Sequence, residues 1–156
     1  MPEATVAMLP RVAIITGGYA GIGFAAAAQL ARQGVSVALG ARTRVEASLN
    51  RLEKCGSPVY GGVLDVRDTG SVESFVADVE RELGPADILV NSAGIGTQQT
   101  VSQHDEAKWL EVIDTNLNGC FRIMKACMPG MISRKWRLTV NVGSTAARTA
   151  FPKYAA

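Results

Sequence analysis

The stretch Thr16-Gly17-Gly18-Tyr19-Ala20-Gly21-Ile22-Gly23 follows the β-branched run Val12-Ala13-Ile14-Ile15 and leads into an alanine-rich segment, Ile22 to Gln33, with apolar residues on most of its faces. A strand that passes through a glycine-rich turn into a helix is half of a βαβ unit. Such a turn can bring bare backbone N–H groups against a phosphate, since larger side chains would block the approach and the helix N-terminus adds partial positive charge. Gly17, Gly21 and Gly23 suit that task, with Tyr19 and Ile22 lying between and beside them. A ligand-free strand-to-helix turn would use the same glycines, and it is the strand before and the helix after that favour phosphate binding.

Outward from this turn the rhythm repeats. Gly34 stands where a helix C′ glycine belongs, Val35 to Leu39 reads as the second strand, Val45 to Lys54 as a helix, and Val59 to Leu64 as the third strand. A helix from Val72 to Leu83 ends at Gly84-Pro85, and Ile88-Leu89-Val90 is a buried fourth strand. Residues 105–118 and 119–133 read as one long or broken helix, and Leu138 to Val142 as the fifth strand. This alternation predicts an α/β protein, a Rossmann-type doubly wound parallel sheet of about five strands. Residues 1–10 read as a loose N-terminal leader and 11–156 as one partial Rossmann domain, with no internal repeat, low-complexity tract or linker.

Composition narrows the function classes. With 47% hydrophobic and 19% charged residues, the 156-residue chain can bury a core as a single domain. Sixteen basic against fourteen acidic residues leave a net charge of +2, which gives no reason to expect nucleic acid or an acidic membrane surface as partner. Cys55, Cys120 and Cys127 are odd in number and lack C-x-x-C spacing, so no disulfide framework or metal site is indicated and a reducing cytoplasm is the default. The first ten residues carry an acid where a signal peptide needs bases, and no apolar run is long enough for a membrane span.

The spacing T-G-x-x-x-G-x-G differs from the ordinary G-x-G-x-x-G fingerprint and resembles the short-chain dehydrogenase/reductase family. Four more stretches match that family in order. Asp65-Val66 resembles its adenine-contacting pair, and Asn91-Ser92-Ala93-Gly94 its N-x-A-G motif, of which Asn91, Ala93 and Gly94 would support the sheet and line the cofactor site. Asn116 matches the helix asparagine of the proton relay, and Ser144, after Asn141-Val142-Gly143, the serine that polarises the substrate. The resemblance spans residues 12–144 and implies hydride transfer between a nicotinamide and a carbonyl or secondary alcohol, with 3-oxoacyl-thioester reductases among the nearest types. It also implies a homo-oligomer in the complete form, built through the helices at 105–133.

Cofactor preference follows from the end of the second strand. An acid there would bind the adenosine ribose hydroxyls of NAD and repel a 2′-phosphate. This chain has Gly40-Ala41-Arg42-Thr43-Arg44 instead, and Arg42 could grip a phosphate with two N–H groups, which predicts NADP(H) over NAD(H). Arg42 and Arg44 could otherwise be solvated residues at a helix start.

The family's acid/base is the tyrosine of Tyr-x-x-x-Lys, whose lysine lowers the phenol pKa from about 10 toward working pH. No such pair occurs in the 156 residues. Tyr154 is one candidate, but on the family's usual spacing from the serine the tyrosine falls at position 157, directly after Ala155-Ala156. The resemblance also implies a domain of about 250 residues and about seven strands, in which the fifth strand is central and covered. Here that strand is expected to form an edge, with low stability of the isolated chain. Three functions are therefore open: the N-terminal portion of an NADPH-dependent reductase, catalytically incompetent alone; a non-catalytic dinucleotide-binding fragment or partner of a full-length homologue; and the product of a truncated or frameshifted gene.

Other residues receive plain readings. His104 is a capping or surface neighbour, and Cys120 and Cys127, seven apart on a helix, share a packing surface. Arg134-Lys135-Trp136-Arg137 is expected to offset a helix dipole and form a solvated turn, and Asp65 has an alternative role as a turn residue.

Overall fold

In the computed structural model, which describes residues 11–43 and 46–153, five parallel strands run in the order β3-β2-β1-β4-β5. They are β1 Val12–Thr16, β2 Ser36–Ala41, β3 Val59–Val63, β4 Ile88–Asn91 and β5 Leu138–Asn141. The helices are α1 Gly21–Arg32, α2 Glu46–Glu53, α3 Thr69–Glu82, α4 Glu106–Ile113 and α5 Gly119–Ser133. The expected leader at residues 1–10, together with Arg44, Val45 and Tyr154, lies outside the described residues.

Side chains alternate across the sheet, which explains why the strands read as continuous apolar runs. Val12 and Ile14 of β1 point into one core with Phe75 and Val79 of α3 and Ile123, Cys127 and Met131 of α5. Ala13 and Ile15 point into the other, with Ala27, Ala28 and Ala31 of α1 and Leu49 and Leu52 of α2. Small alanines on α1 let it approach the sheet closely. At its end Gln33 and Gly34 donate to Leu30 and Ala31 carbonyls, and Gly34 has φ +82°, the left-handed helix stop expected of it. Asp68 caps α3 by accepting from the Gly70 and Ser71 amides.

The segment between 105 and 133 is not broken. α4 passes into α5 through one π-helical turn, Asp114–Asn118, so a single rod carries a local widening that holds Asn116. Arg122 stabilises the widened turn, donating to the Asp114 carboxylate at 2.8 Å and reaching the Asp114 and Val66 carbonyls. The segment after α5 is also more structured than a solvated turn. Arg134 bonds the Ala86 carbonyl and pairs with Asp87 at 3.5 Å, while Trp136 packs on the core beneath the Arg11 guanidinium, 3.5 Å from its ring centre. Among the described residues β5 pairs with β4 alone, and its Leu138 and Val140, on one face of the sheet, are 46% and 43% exposed. No described helix is long and apolar enough to cross a membrane.

Candidate cofactor and substrate cleft

The strand order reverses between β1 and β4, and at their carboxyl ends a cleft of about 700 Å³ opens. A doubly wound sheet places its ligand crevice at this switch point. Gly17, Gly21, Ile22, Ala93, Gly94, Asn116 and Ser144 all line this one cleft. A smaller hollow of about 150 Å³ continues it past β2, lined by Arg42, Asp65, Val66 and Arg67. A third hollow, about 370 Å³ between α3 and α5, holds none of the site residues expected from the sequence.

The glycine turn is shaped by contact rather than by flexibility alone. Gly17 has φ +64°, donates to the Gly40 carbonyl at 2.7 Å, and a Cβ there would lie 2.8 Å from the Ser92 carbonyl oxygen. At Gly23 a Cβ would lie 2.6 Å from the Gly17 carbonyl oxygen, so α1 can begin this close to the turn only with hydrogen at that position. Ala20 precedes α1 and offers no side-chain acceptor, and no acid occupies the first turn, which leaves the helix-start amides for a ligand.

Tyr19 departs from expectation. Its ring is 7% exposed and packs in the core among Ile15, Leu39 and Leu49, with Gly61 of β3 leaving room for its hydroxyl end. Its carbonyl accepts from Ser48 at 2.8 Å, so Tyr19 anchors the turn to α2 and its side chain does not face the cleft. Asn91 lies within the sheet. It is 3% exposed and donates across the sheet to the Asn141 side chain at 2.7 Å, supporting β4 and β5 while Ala93 and Gly94 form the cleft wall.

That wall is held from two sides. The Thr16 hydroxyl accepts from the Ser92 and Ala93 amides at 3.1 and 3.0 Å. Asn116 clamps the next residue, accepting from the Ile95 amide at 2.9 Å and donating to its carbonyl at 2.8 Å. Both ends of the Asn116 side-chain amide are thus engaged with the backbone of one residue, Ile95, and Asn116 also lines the cleft. Ser144 opens a 3₁₀ turn and accepts from the Ala146 amide at 3.1 Å, which leaves its own O–H to be donated.

At the far end of the groove the charges are paired. Asp65 receives a fork from Arg67, with contacts of 2.6 to 3.2 Å, and also accepts from the Arg67 amide. Hydrogen bonds from Arg67 hold the Asp65 carboxyl at a pKa of about 2 against a partial desolvation that opposes them. The remaining Arg67 nitrogen donates to Glu111 of α4 at 2.8 Å, and Arg42 lies 3.7 Å from the same Glu111 oxygen. Val66 is buried beside this hollow and packs on Gly119. Sequence reading missed Thr16, Arg67 and Glu111 as site residues. Thr16 and Arg67 sit beside quoted motifs, whereas nothing local to Glu111 signals its role.

The remaining residues are peripheral. His104 accepts or donates between Thr97 and the Asp105 carbonyl and stacks edge-on against Trp109. The two α5 cysteines share a side of the helix but not a surroundings. Cys127 is in the core, where burial pushes its thiol up to about 12, whereas Cys120 reaches the cleft wall and donates to the Asn116 carbonyl. Among the described residues no group of His, Cys, Asp and Glu is arranged to hold a metal ion.

Residues 11–156 match the family model described as short chain dehydrogenase. The chain is 43% identical over 142 residues to a Streptomyces virginiae protein assigned as a ketoacyl reductase of the monensin polyketide synthase, covering 88% of this chain and 54% of that protein. It is 34% identical over 134 residues to a 3-oxoacyl-acyl-carrier-protein reductase of Salmonella typhimurium, covering 86% and 54%. Among solved structures, a variant of actinorhodin polyketide ketoreductase with NADPH superposes with a TM-score of 0.90 at 33% identity, covering 94% of this chain and 57% of that one. The chain spans about half the length of the curated relatives it matches.

Proposed function

Because the chain belongs to the short chain dehydrogenase family, we propose that it forms the cofactor seat and part of the reaction pocket of an NADPH-dependent oxidoreductase acting on a ketone or the corresponding secondary alcohol. The observation that carries this reading is convergence on one cleft at the switch point of the phosphate-type turn, the clamped Ala93–Ile95 wall and Ser144. The residues fit a dinucleotide. At Gly21 a Cβ would meet nothing within 4 Å, so the turn presents open backbone to the cleft, and the helix-start amides have no side-chain cap.

The nicotinamide, when bound, supplies or accepts the hydride. Gly21 and Ile22 would hold the pyrophosphate through backbone amides at the start of α1, Gly17 and Gly23 shape the turn that presents them, and Asp65 and Val66 would border the adenine. Asn116 and Thr16 are positioning residues that fix the cleft wall. Ser144 would donate a hydrogen bond from its hydroxyl, keeping its proton, to the substrate oxygen and so steady charge as it develops there. Arg42 favours the 2′-phosphate, since β2 ends without an acid. The ketoacyl reductase relatives and the NADPH-bound ketoreductase support the ketone substrate class and the cofactor choice.

Titrating the purified chain with NADPH and with NADH, followed by nicotinamide fluorescence, tests the proposal. Saturable binding at least about tenfold tighter for NADPH, about 1.4 kcal/mol, is expected. Absence of saturable binding would refute the cofactor seat, and NADH binding as tight as NADPH would refute the role of Arg42.

A further inference from the structure

We propose that Glu111 occupies, with its own carboxylate, the slot that Arg42 and Arg67 form for the 2′-phosphate, and so limits how strongly the phosphorylated cofactor is preferred. This rests on the NADPH reading above. Three elements meet here. Arg42 comes from the end of β2, Arg67 from the loop between β3 and α3, and Glu111 from α4, and a single Glu111 oxygen lies 3.7 Å from Arg42 and 2.8 Å from Arg67. Both arginines line the small hollow beside Gly40 and Ala41, where the groove ends. Arg67 spends its Nε and Nη2 on Asp65, so the nitrogen it turns toward Glu111 is the one left for an incoming anion.

Charge decides the consequence. Asp65 and Glu111 balance Arg42 and Arg67, and the nearby Asp114 is balanced by Arg122 at 2.8 Å. An arriving 2′-phosphate therefore enters a neutral cluster and must first part Glu111 from Arg42, the looser of its two contacts. A carboxylate left on Arg67 still repels the dianion. Cofactor without the phosphate need not break this contact, so Glu111 acts on NADPH and leaves NADH alone. If Glu111 served only to dock α4 on the strand ends, its removal would shift both cofactors alike.

The test is fluorescence titration of wild type, Glu111→Gln and Glu111→Ala with NADPH and NADH. Glu111 is 41% exposed in its side chain, so neither substitution opens the core. Removing one charge a few ångströms from a solvent-screened dianion should tighten NADPH about three- to tenfold and leave NADH within about twofold. Added salt should then weaken NADPH more steeply in the variants than in wild type. Unchanged or weaker NADPH binding in both variants, or parallel shifts in both cofactors, overturns the proposal while leaving the NADPH seat standing. Wild type that binds neither cofactor overturns the seat itself and this proposal with it.

Discussion

Replacing Thr16 with valine isolates the contact that ties β1 to the cleft wall. Thr16 is 1% exposed, and its hydroxyl accepts from the Ser92 and Ala93 amides at 3.1 and 3.0 Å. Valine keeps the shape and the β-branched backbone preference but removes the acceptor, leaving two partly buried N–H groups without a partner. Each such loss costs about 1–3 kcal/mol, and a newly buried methyl returns about 0.8 kcal/mol, so a net destabilisation of about 1–5 kcal/mol is expected. At about 2–4 °C per kcal/mol for a domain of this size, that corresponds to a fall in Tm of about 2–20 °C. Thr16→Ser retains the hydroxyl and loses only the methyl, so it should cost about 1 kcal/mol. Urea unfolding by circular dichroism reads the stabilities, and hydrogen exchange at Ser92 and Ala93 reads the specific amides, which should lose protection in Thr16→Val alone. A valine variant within about 0.5 kcal/mol of wild type, or a serine variant as damaged as the valine one, would refute the assignment of the stabilisation to the hydroxyl.

Gly23→Ala sets helix propensity against contact: alanine gains about 1 kcal/mol in a helix, but its Cβ would lie 2.6 Å from the Gly17 carbonyl oxygen, a backbone atom that yields only by moving the turn. A net loss of about 1–2 kcal/mol together with weaker NADPH binding is expected in paired melts and titrations, and a stabilised variant with unchanged binding would sink the steric argument. The depressed Asp65 carboxyl, at about 2 because of Arg67, lies below its unfolded value, so its stabilisation is present above about pH 4 and is lost as pH falls toward 2. Solvent access limits the effect to about 1 kcal/mol, and Asp65→Asn should flatten stability over that acid range by about this amount; parallel curves for wild type and variant would rule it out.

The parts legible in sequence are those governed by local pattern. Val12 to Ile15 reads as a strand because both faces are apolar, and both faces are indeed buried, Val12 and Ile14 in one core and Ala13 and Ile15 in the other. Gly34 reads as a helix stop because few residues other than glycine take its φ of +82° readily. What local pattern does not reveal is set by distant partners. Tyr19 sits inside the phosphate-type turn by sequence, yet Gly61, far along the chain, provides the space that draws its ring into the core. Arg134 and Trp136 look solvated because Ala86, Asp87 and Arg11, which engage them, are remote in sequence. Periodicity likewise separates one helix from another but does not reveal a π turn, whose single extra residue shifts the register by less than the pattern's own scatter.

The site's geometry follows from how the carboxyl ends of three strands are joined. The loop after β4 is held by Thr16 from β1 at Ser92 and Ala93 and by Asn116 from the π turn at Ile95. Its base is joined to β5 by the Asn91–Asn141 pair, which also sets Asn91 and Asn141 opposite each other in the sheet register. One wall of the cleft is therefore fixed before any ligand arrives, and a ligand bound there loses less to ordering the protein. Ser144 is tied less firmly. It follows β5, which among the described residues pairs on one side only, and its own turn rests on the Ala146 amide. The wall after β4 is thus the rigid half of the cleft, and the Ser144 side depends on whether the outer edge of β5 is paired. Anything that pairs with that edge would order Ser144, so the position of Ser144 should respond to the covering of β5 more than the wall after β4 does.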